Sequence, residues 1–138
     1  MKLVYPAVVL SQAPDGFHVR FPDLDEALTE GQTLDEALYN ASEVLSLALE
    51  HRLEKGRELP LPSPVGEGQH EVAPAAAVQS AMLVRLAREG RSLADLARAL
   101  ETSWGSAQRL ENPKHSPSLR QLERAASALG KRLVLAFE

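Results

Sequence analysis

The chain contains no cysteine, which excludes a disulfide framework and any thiolate metal site. No apolar run approaches the ~20 residues that a membrane span requires. The opening MKLVYPAVVL has a short apolar stretch interrupted by Pro6, so no signal peptide is expected. A Gly-x-Ser-x-Gly turn for a strained nucleophile is missing, and so is a His-Glu-x-x-His zinc spacing. Nor is there a glycine loop to cradle phosphate, because Gly66 and Gly68 sit in a proline-rich stretch. What remains is a globular mix, 44% hydrophobic and 25% charged over 138 residues. That length suits one ordinary domain or two small ones and argues against a large multi-lobed enzyme. A soluble cytoplasmic protein without cofactor or metal is the expectation.

Charge is unevenly divided. Residues 1–72 carry 13 acidic against 5 basic side chains, a net of −8, whereas residues 73–138 carry 6 against 10, a net of +4. A basic segment suits nucleic acid, and an acidic one repels it. Two solvated surfaces of different composition would give the same division.

The first half reads as strand, strand, helix. Lys2–Leu10 alternates, with Leu3, Tyr5, Ala7 and Val9 on one face. Ala13-Pro14-Asp15-Gly16 has turn chemistry, and Gly16–Phe21 alternates again with Phe17, Val19 and Phe21 inward. A short third strand is expected over Ala27–Glu30. Thr33-Leu34-Asp35-Glu36 fits a capping box that opens a helix to about Lys55, with Gly56 beyond it. Its stripe of Leu34, Ala37, Leu38, Ala41, Leu45, Ala48 and Leu49 should lie on the hairpin's apolar face. Glu58–Pro74, with Pro60, Pro62 and Pro64, reads as a semi-rigid connection between domains, with a last edge strand at His70–Ala73.

From Ala75 the composition turns helical. Helices are expected at Ala76–Glu89, Leu93–Leu100, Trp104–Glu111 and from Ser118 to Leu129, with Ser92, Ser103 and Ser118 as caps. Lys131–Phe137 alternates like a strand, with Leu133, Leu135 and Phe137 on one face. The helices before it offer it no sheet. Pairing with its own copy would satisfy the backbone, so at least a homodimer through these residues, or a higher homo-oligomer, is expected.

Catalytic candidates are thin. His18 lies on the polar side of a strand, and His51 and Glu54, one helical turn apart, make a two-member metal pair at best. Asp23, Asp25 and Glu26 cluster after the second strand. They suggest either a metal-dependent nuclease, which needs further converging acids, or an exposed acidic loop. No catalytic residue is assigned.

The strongest constellation is Ser92–Leu100, the link Glu101-Thr102-Ser103, and Trp104–Glu111. Leu96, Ala97 and Leu100 point inward on the first helix and Ala107 and Leu110 on the second, which is helix-turn-helix spacing. A bundle with a tight turn fits the same spacing. On the DNA reading, Ser103, Trp104, Ser106, Gln108, Arg109, Asn112 and Lys114 are the candidate contacts.

Through LADLARAL, S-x-x-x-A-x-R-L-E-N-P and S-P-S-L-x-x-L-E-R-A-A-x-A-L-G, Ala75–Glu138 resembles a Cro/repressor-type (Xre-like) helix-turn-helix domain. The ending KRLVLAFE resembles the extra strand such domains carry in antitoxins. Met1–Leu61 resembles the HicB-type antitoxin fold through YPAVVL, DGFHVRFPDL, EGQTLDEALYNASEVLSLAL and the following LPLPSP. In that order they cover nearly the whole chain and resemble a HicB-type antitoxin of a HicA–HicB pair.

The resemblance implies an α+β layer like a cut-down ribonuclease H fold (residues 1–73) that binds a HicA-type toxin, a small basic ribonuclease cleaving messenger RNA. It also implies an all-α helix-turn-helix domain with a terminal β-strand (residues 74–138) that binds operator DNA. Asp23, Asp25 and Glu26 are then candidates for toxin contact. Two departures stand out. Asp25-Glu26-Ala27 replaces the family's usual Pro-Gly-Cys, and Trp104-Gly105 stands where such repressors often carry polar base readers. A stand-alone regulator that senses a small ligand, or a residual nuclease, are the alternatives from other classes. A neighbouring gene for a basic toxin would favour the antitoxin. An apolar pocket in the first half would favour the sensor.

Overall fold

The alternating apolar residues of the first half form β1 (Tyr5–Ser11) and β2 (Phe17–Phe21), and β3 (Leu24–Gly31) follows. The computed structural model describes residues 1–12 and 14–138. Ala13, the first residue of the expected hairpin turn, lies outside them. Next come α1 (Leu34–Glu54) and β4 (His70–Val72), then α2 (Ala76–Arg88), α3 (Leu93–Ala99), α4 (Trp104–Arg109) and α5 (Leu119–Ala128). The result is a mixed α+β chain with a four-stranded antiparallel sheet of order β3-β2-β1-β4 and five helices. It divides into two compact units, Met1–Ala76 and Ala77–Glu138.

In the first unit β1 pairs with β2 through Val9↔Val19 and Ser11↔Phe17, and with β4 through Tyr5↔Val72. Leu3, Tyr5, Ala7, Val19 and Phe21 are buried, while Val9 and Phe17, expected on the same faces, are only half-buried. They meet Ala37, Ala41, Leu45, Ala48 and Leu49 of α1, which are buried too, whereas Leu34 of the expected stripe is exposed and Leu38 half-buried. At Gly31 the sheet and helix approach closely. A Cβ there would sit 2.5 Å from the Ala37 nitrogen, inside contact distance. Thr33 caps α1 by accepting from the Glu36 amide at 3.1 Å, the hydroxyl half of the expected box. Positive φ (+65°) at Gly56 follows the last turn.

Two expectations need correction. The third strand is eight residues long, not a short Ala27–Glu30 segment. Its ladder with β2 jumps from Arg20↔Leu28 to Phe21↔Leu24, so Asp25, Glu26 and Ala27 bulge out of register. Acidic residues in a bulge break the alternation by which a strand is recognised. The proline-rich stretch is also no free connector. Leu59 is buried, Tyr5 Oη donates to the Pro60 carbonyl at 2.7 Å, and β4 follows within the same unit. Proline lacks an N–H, yet carbonyls in its neighbourhood remain acceptors and fix the segment against the sheet.

In the second unit Val84, Leu96, Ala97, Ala107, Leu110, Ala125 and Leu129 form the core, with Ala87, Leu93, Leu100 and Leu122 packed around it. Alanine at three of these positions lets short helices approach closely. Ser92 with Asp95 and Ser118 with Gln121 close complete capping boxes, and Ser103 caps α4. Among the described residues of the single chain, 131–138 take no strand conformation, where a terminal strand is expected. Leu135 and Phe137 stand in solvent while Leu133 is half-buried. A strand exists only through hydrogen bonds to a second strand, and one copy offers none here.

Candidate functional site

Two groups of sequence-predicted residues lie one in each unit. In the first, the bulge of β3 carries Asp25 and Glu26, with Asp23 in the turn just before it. These carboxylates do different work. Asp23 accepts from the Ser63 amide at 2.9 Å and the Ser63 hydroxyl at 2.5 Å, tying the proline-rich stretch down. Glu26 takes a two-pronged bond from Arg52 of α1, at 2.7 and 3.0 Å. Arg52 also donates to the Glu58 carbonyl at 2.9 Å, so one guanidinium joins strand, helix and following segment. Hydrogen bonds from Arg52 hold the Glu26 carboxyl well below its usual range, at about 2. Burial pushes the Tyr5 hydroxyl up to about 12, and the Asp23 charge adds to the effect. Asp25 is exposed. Among the described residues no group of three or more histidines and carboxylates is placed to hold a metal ion.

In the second unit α3 and α4 are joined by the link 100–103. Glu101 takes positive φ (+53°), and the Thr102 amide returns to the Ala97 carbonyl at 2.9 Å. The Ser103 hydroxyl accepts from the Ser106 amide at 3.1 Å and donates to the Ser106 hydroxyl at 3.0 Å. Trp104, Gln108 and Arg109 are exposed along α4, and Arg109 reaches the Ser106 hydroxyl at 3.5 Å. Past the helix, Asn112 Oδ1 accepts from the Lys114 amide at 2.9 Å, which leaves the Lys114 side chain outward. The seven residues singled out from the sequence thus fall on α4 and the turns at its two ends. Beside them a cleft of about 80 Å³ is lined by Leu100, Thr102, Ser106, Leu110, Gln121 and Arg124. Small-molecule sites usually run to several hundred Å³.

A family model described as "HicB_like antitoxin of bacterial toxin-antitoxin system" matches residues 4–82, which take in the whole sheet and α1. The chain belongs to this HicB-like antitoxin family. Among curated relatives, Antitoxin HicB 2 of Photorhabdus laumondii is 39% identical over 120 residues, covering 87% of this chain and 86% of the relative. Antitoxin HicB 1 of the same organism is 32% identical over 134 residues, covering 97% and 86%. Antitoxin HicB of Escherichia coli K12 is 35% identical over 134 residues, covering 95% and 96%. A toxin partner follows from this membership. No helix among the described residues is long and apolar enough to cross a membrane.

This HicB-like chain also holds polar braces that no sequence pattern signals. Arg88 at the end of α2 forks onto Glu111 beyond α4, at 2.5 and 3.0 Å, while its third nitrogen donates to the Arg91 carbonyl at 2.6 Å. Arg124 of α5 donates to the Leu100 carbonyl at 3.3 Å, at the link between α3 and α4. No local spacing announces either contact, because the partners are 23 and 24 residues apart.

Proposed function

We propose that the chain neutralises a HicA-type, messenger-RNA-cleaving toxin by binding it with the first unit, and represses its own operon by binding operator DNA with the second. It needs no cofactor and performs no catalysis of its own, acting in the cytoplasm. The observation that carries this reading is membership of the antitoxin family, with similarity to the named HicB antitoxins over nearly the whole chain. The charge division supports it. A net −8 over residues 1–72 attracts a basic protein, and +4 over residues 73–138 suits a phosphate backbone.

The first unit is read as a partial ribonuclease H-like layer. Its acidic corner draws a basic toxin mainly through the exposed Asp25 and the field of the unit, because Asp23 and Glu26 have internal partners. The second unit is read as an Xre-like helix-turn-helix. On this reading α4 enters the major groove with Trp104, Ser106, Gln108 and Arg109, while Ser103, Asn112 and Lys114 meet the backbone. Leu133, Leu135 and Phe137 then pair with a second copy across a two-fold axis, setting two recognition helices about one DNA turn, ~34 Å, apart.

The test has three arms. Induced with the adjacent toxin gene, the chain should restore growth. It should bind its own promoter, and Arg109→Ala should weaken that binding by ~1–3 kcal/mol if Arg109 reads a guanine. A chain ending at Arg132 should be monomeric and hold the operator much more weakly. Unaltered toxicity would refute the antitoxin role. Promoter affinity untouched by Arg109→Ala and Lys114→Ala together would refute the DNA role. RNA cleavage lost in Asp23→Ala would refute the non-catalytic reading.

A further inference from the structure

Helix α1 is held to its unit along both flanks. On one side Asn40 Nδ2 donates to the Glu30 carbonyl at 2.9 Å and Arg52 clasps Glu26. On the other the Ser42 hydroxyl donates to the Ala73 carbonyl at 2.7 Å and Ser46 Oγ accepts from the Ala75 amide at 2.8 Å. Between these flanks a straight stripe points outward: Glu36, Tyr39, Glu43, Leu47, His51 and Glu54, all exposed. Tyr39 is 69% exposed and Leu47 64%, one helical turn on either side of Glu43. A soluble helix ordinarily turns its apolar side chains inward, whereas here two stand on one outward stripe between carboxylates.

We propose that this stripe is where the toxin docks, with Tyr39 and Leu47 as apolar anchors and Glu36, Glu43 and Glu54 as the acidic rim that meets a basic protein. The proposal rests on the antitoxin reading above. Charge selects the occupant. Nucleic acid and anionic lipid are repelled by the rim. A second copy laid antiparallel and centred on the stripe would set Glu36 against Glu54 and press Glu43 onto Leu47, pairing like charges and burying a carboxylate on an apolar side chain. A basic protein with an apolar hollow between its cations suits both features. Tyrosine is favoured at such centres because it brings area and a polar tip at small entropic cost. The flanking bonds fix the helix beforehand, so little ordering remains to be paid on binding.

The test uses the full chain and the purified protein product of the adjacent toxin gene. Tyr39→Ala and Leu47→Ala should each weaken binding at least about tenfold, as anchor truncations do. Glu36→Lys with Glu43→Lys should slow association and flatten its dependence on salt. Alanine suits an exposed helix, so circular dichroism should be unchanged. Leu28→Ala, at a 63% exposed position on the edge strand β3, should leave binding within twofold of wild type. Anchor variants that bind like wild type would overturn this docking face and leave the antitoxin role standing. Wild type that does not bind the toxin would overturn both. If Tyr39→Ala instead dissociates a homo-oligomer and spares toxin binding, a second copy occupies the stripe and the proposal fails.

Discussion

The two units are stabilised by different kinds of bond. The first is laced by side chains that reach far along the sequence: Tyr5 to Pro60, Asp23 to Ser63, Arg52 to Glu26. The second is built from four helices, three of which begin on a serine that caps its own first turn. Long-range laces hold loops and a sheet that could not form from local preference alone. Local caps let short helices form almost independently and leave the core to assemble them. The main exception in the second unit is the Arg88–Glu111 fork, which bridges the sequence before α3 and after α4.

That exception gives the largest expected effect. Arg88 and Glu111 side chains are only 18% and 9% exposed, so removing one partner leaves a charge without compensation. Arg88→Met should cost the second unit about 3 kcal/mol. In calorimetry its transition should fall by more than about 12 °C while that of the first unit stays put. The double variant Arg88→Met/Glu111→Leu should recover most of the loss, since an apolar pair replaces the ions without stranding either. A single transition that shifts as a whole would mean the units melt as one.

In the first unit one close approach sets a steric limit. Gly31→Ala would bring a Cβ within 2.5 Å of the Ala37 nitrogen and 2.8 Å of its Cα, both backbone atoms that cannot swing aside. Lifting the start of α1 should cost roughly 2 kcal/mol. Urea unfolding followed at the single Trp104 reports the second unit, and far-ultraviolet dichroism reports both. The change should therefore appear in dichroism alone.

The laces also predict different behaviour in acid. The folded Glu26 carboxyl is held at about 2 against an ordinary 4.5, by its bonds to Arg52. Because the folded value is the lower, the stabilisation is complete above about 4.5 and is lost as the pH falls toward 2. The Glu26 side chain is 41% exposed, so after allowance for screening the contribution is at most about 1 kcal/mol. Glu26→Gln should flatten the acid limb of the first unit's stability in that window. Asp95 is held down in the same direction by the Ser92 amide, but it belongs to the other unit and is open to solvent. A pH profile unchanged by Glu26→Gln would show that Arg52 is held by its carbonyl contact alone.

The same contrast explains what could be read from the sequence. Strand alternation at Tyr5–Ser11 and Phe17–Phe21, the cap at Thr33 and the caps at Ser92, Ser103 and Ser118 are local signals. Each corresponds to an element in the structure. The β3 bulge, the docking of residues 58–63 and the Arg88–Glu111 fork depend on partners tens of residues away, and no local pattern encodes them. The tail is a related case. Its alternation is real, but a strand needs a partner and one chain supplies none. Among the candidate site residues, the run from Ser103 to Arg109 was legible because a cap and a helix hold it together. The acidic corner was legible as a cluster but not as a set of braces, since Ser63 and Arg52 come from elsewhere in the chain.

Left-handed backbone gives the smallest effect and separates the units once more. Among the described residues of the first unit, positive φ occurs only at Gly16, Gly56 and Gly68, whereas the second unit also uses Glu89 (+50°) and Glu101 (+53°). An L-residue there carries strain of about 1–2 kcal/mol from its Cβ against the following carbonyl. Glycine removes the strain and gives back about 0.5–1 kcal/mol through the freer unfolded chain. Glu101→Gly in the link between α3 and α4 should therefore stabilise the second unit by about 0.5 kcal/mol, a rise of a few degrees in its transition. Two features of the link work for this result: Glu101 is exposed, and the bond from the Thr102 amide to the Ala97 carbonyl does not involve its side chain. A fall in stability would instead mean that the Glu101 side chain contributes more than the strain it imposes, and that the link is fixed by residue identity as well as by backbone shape.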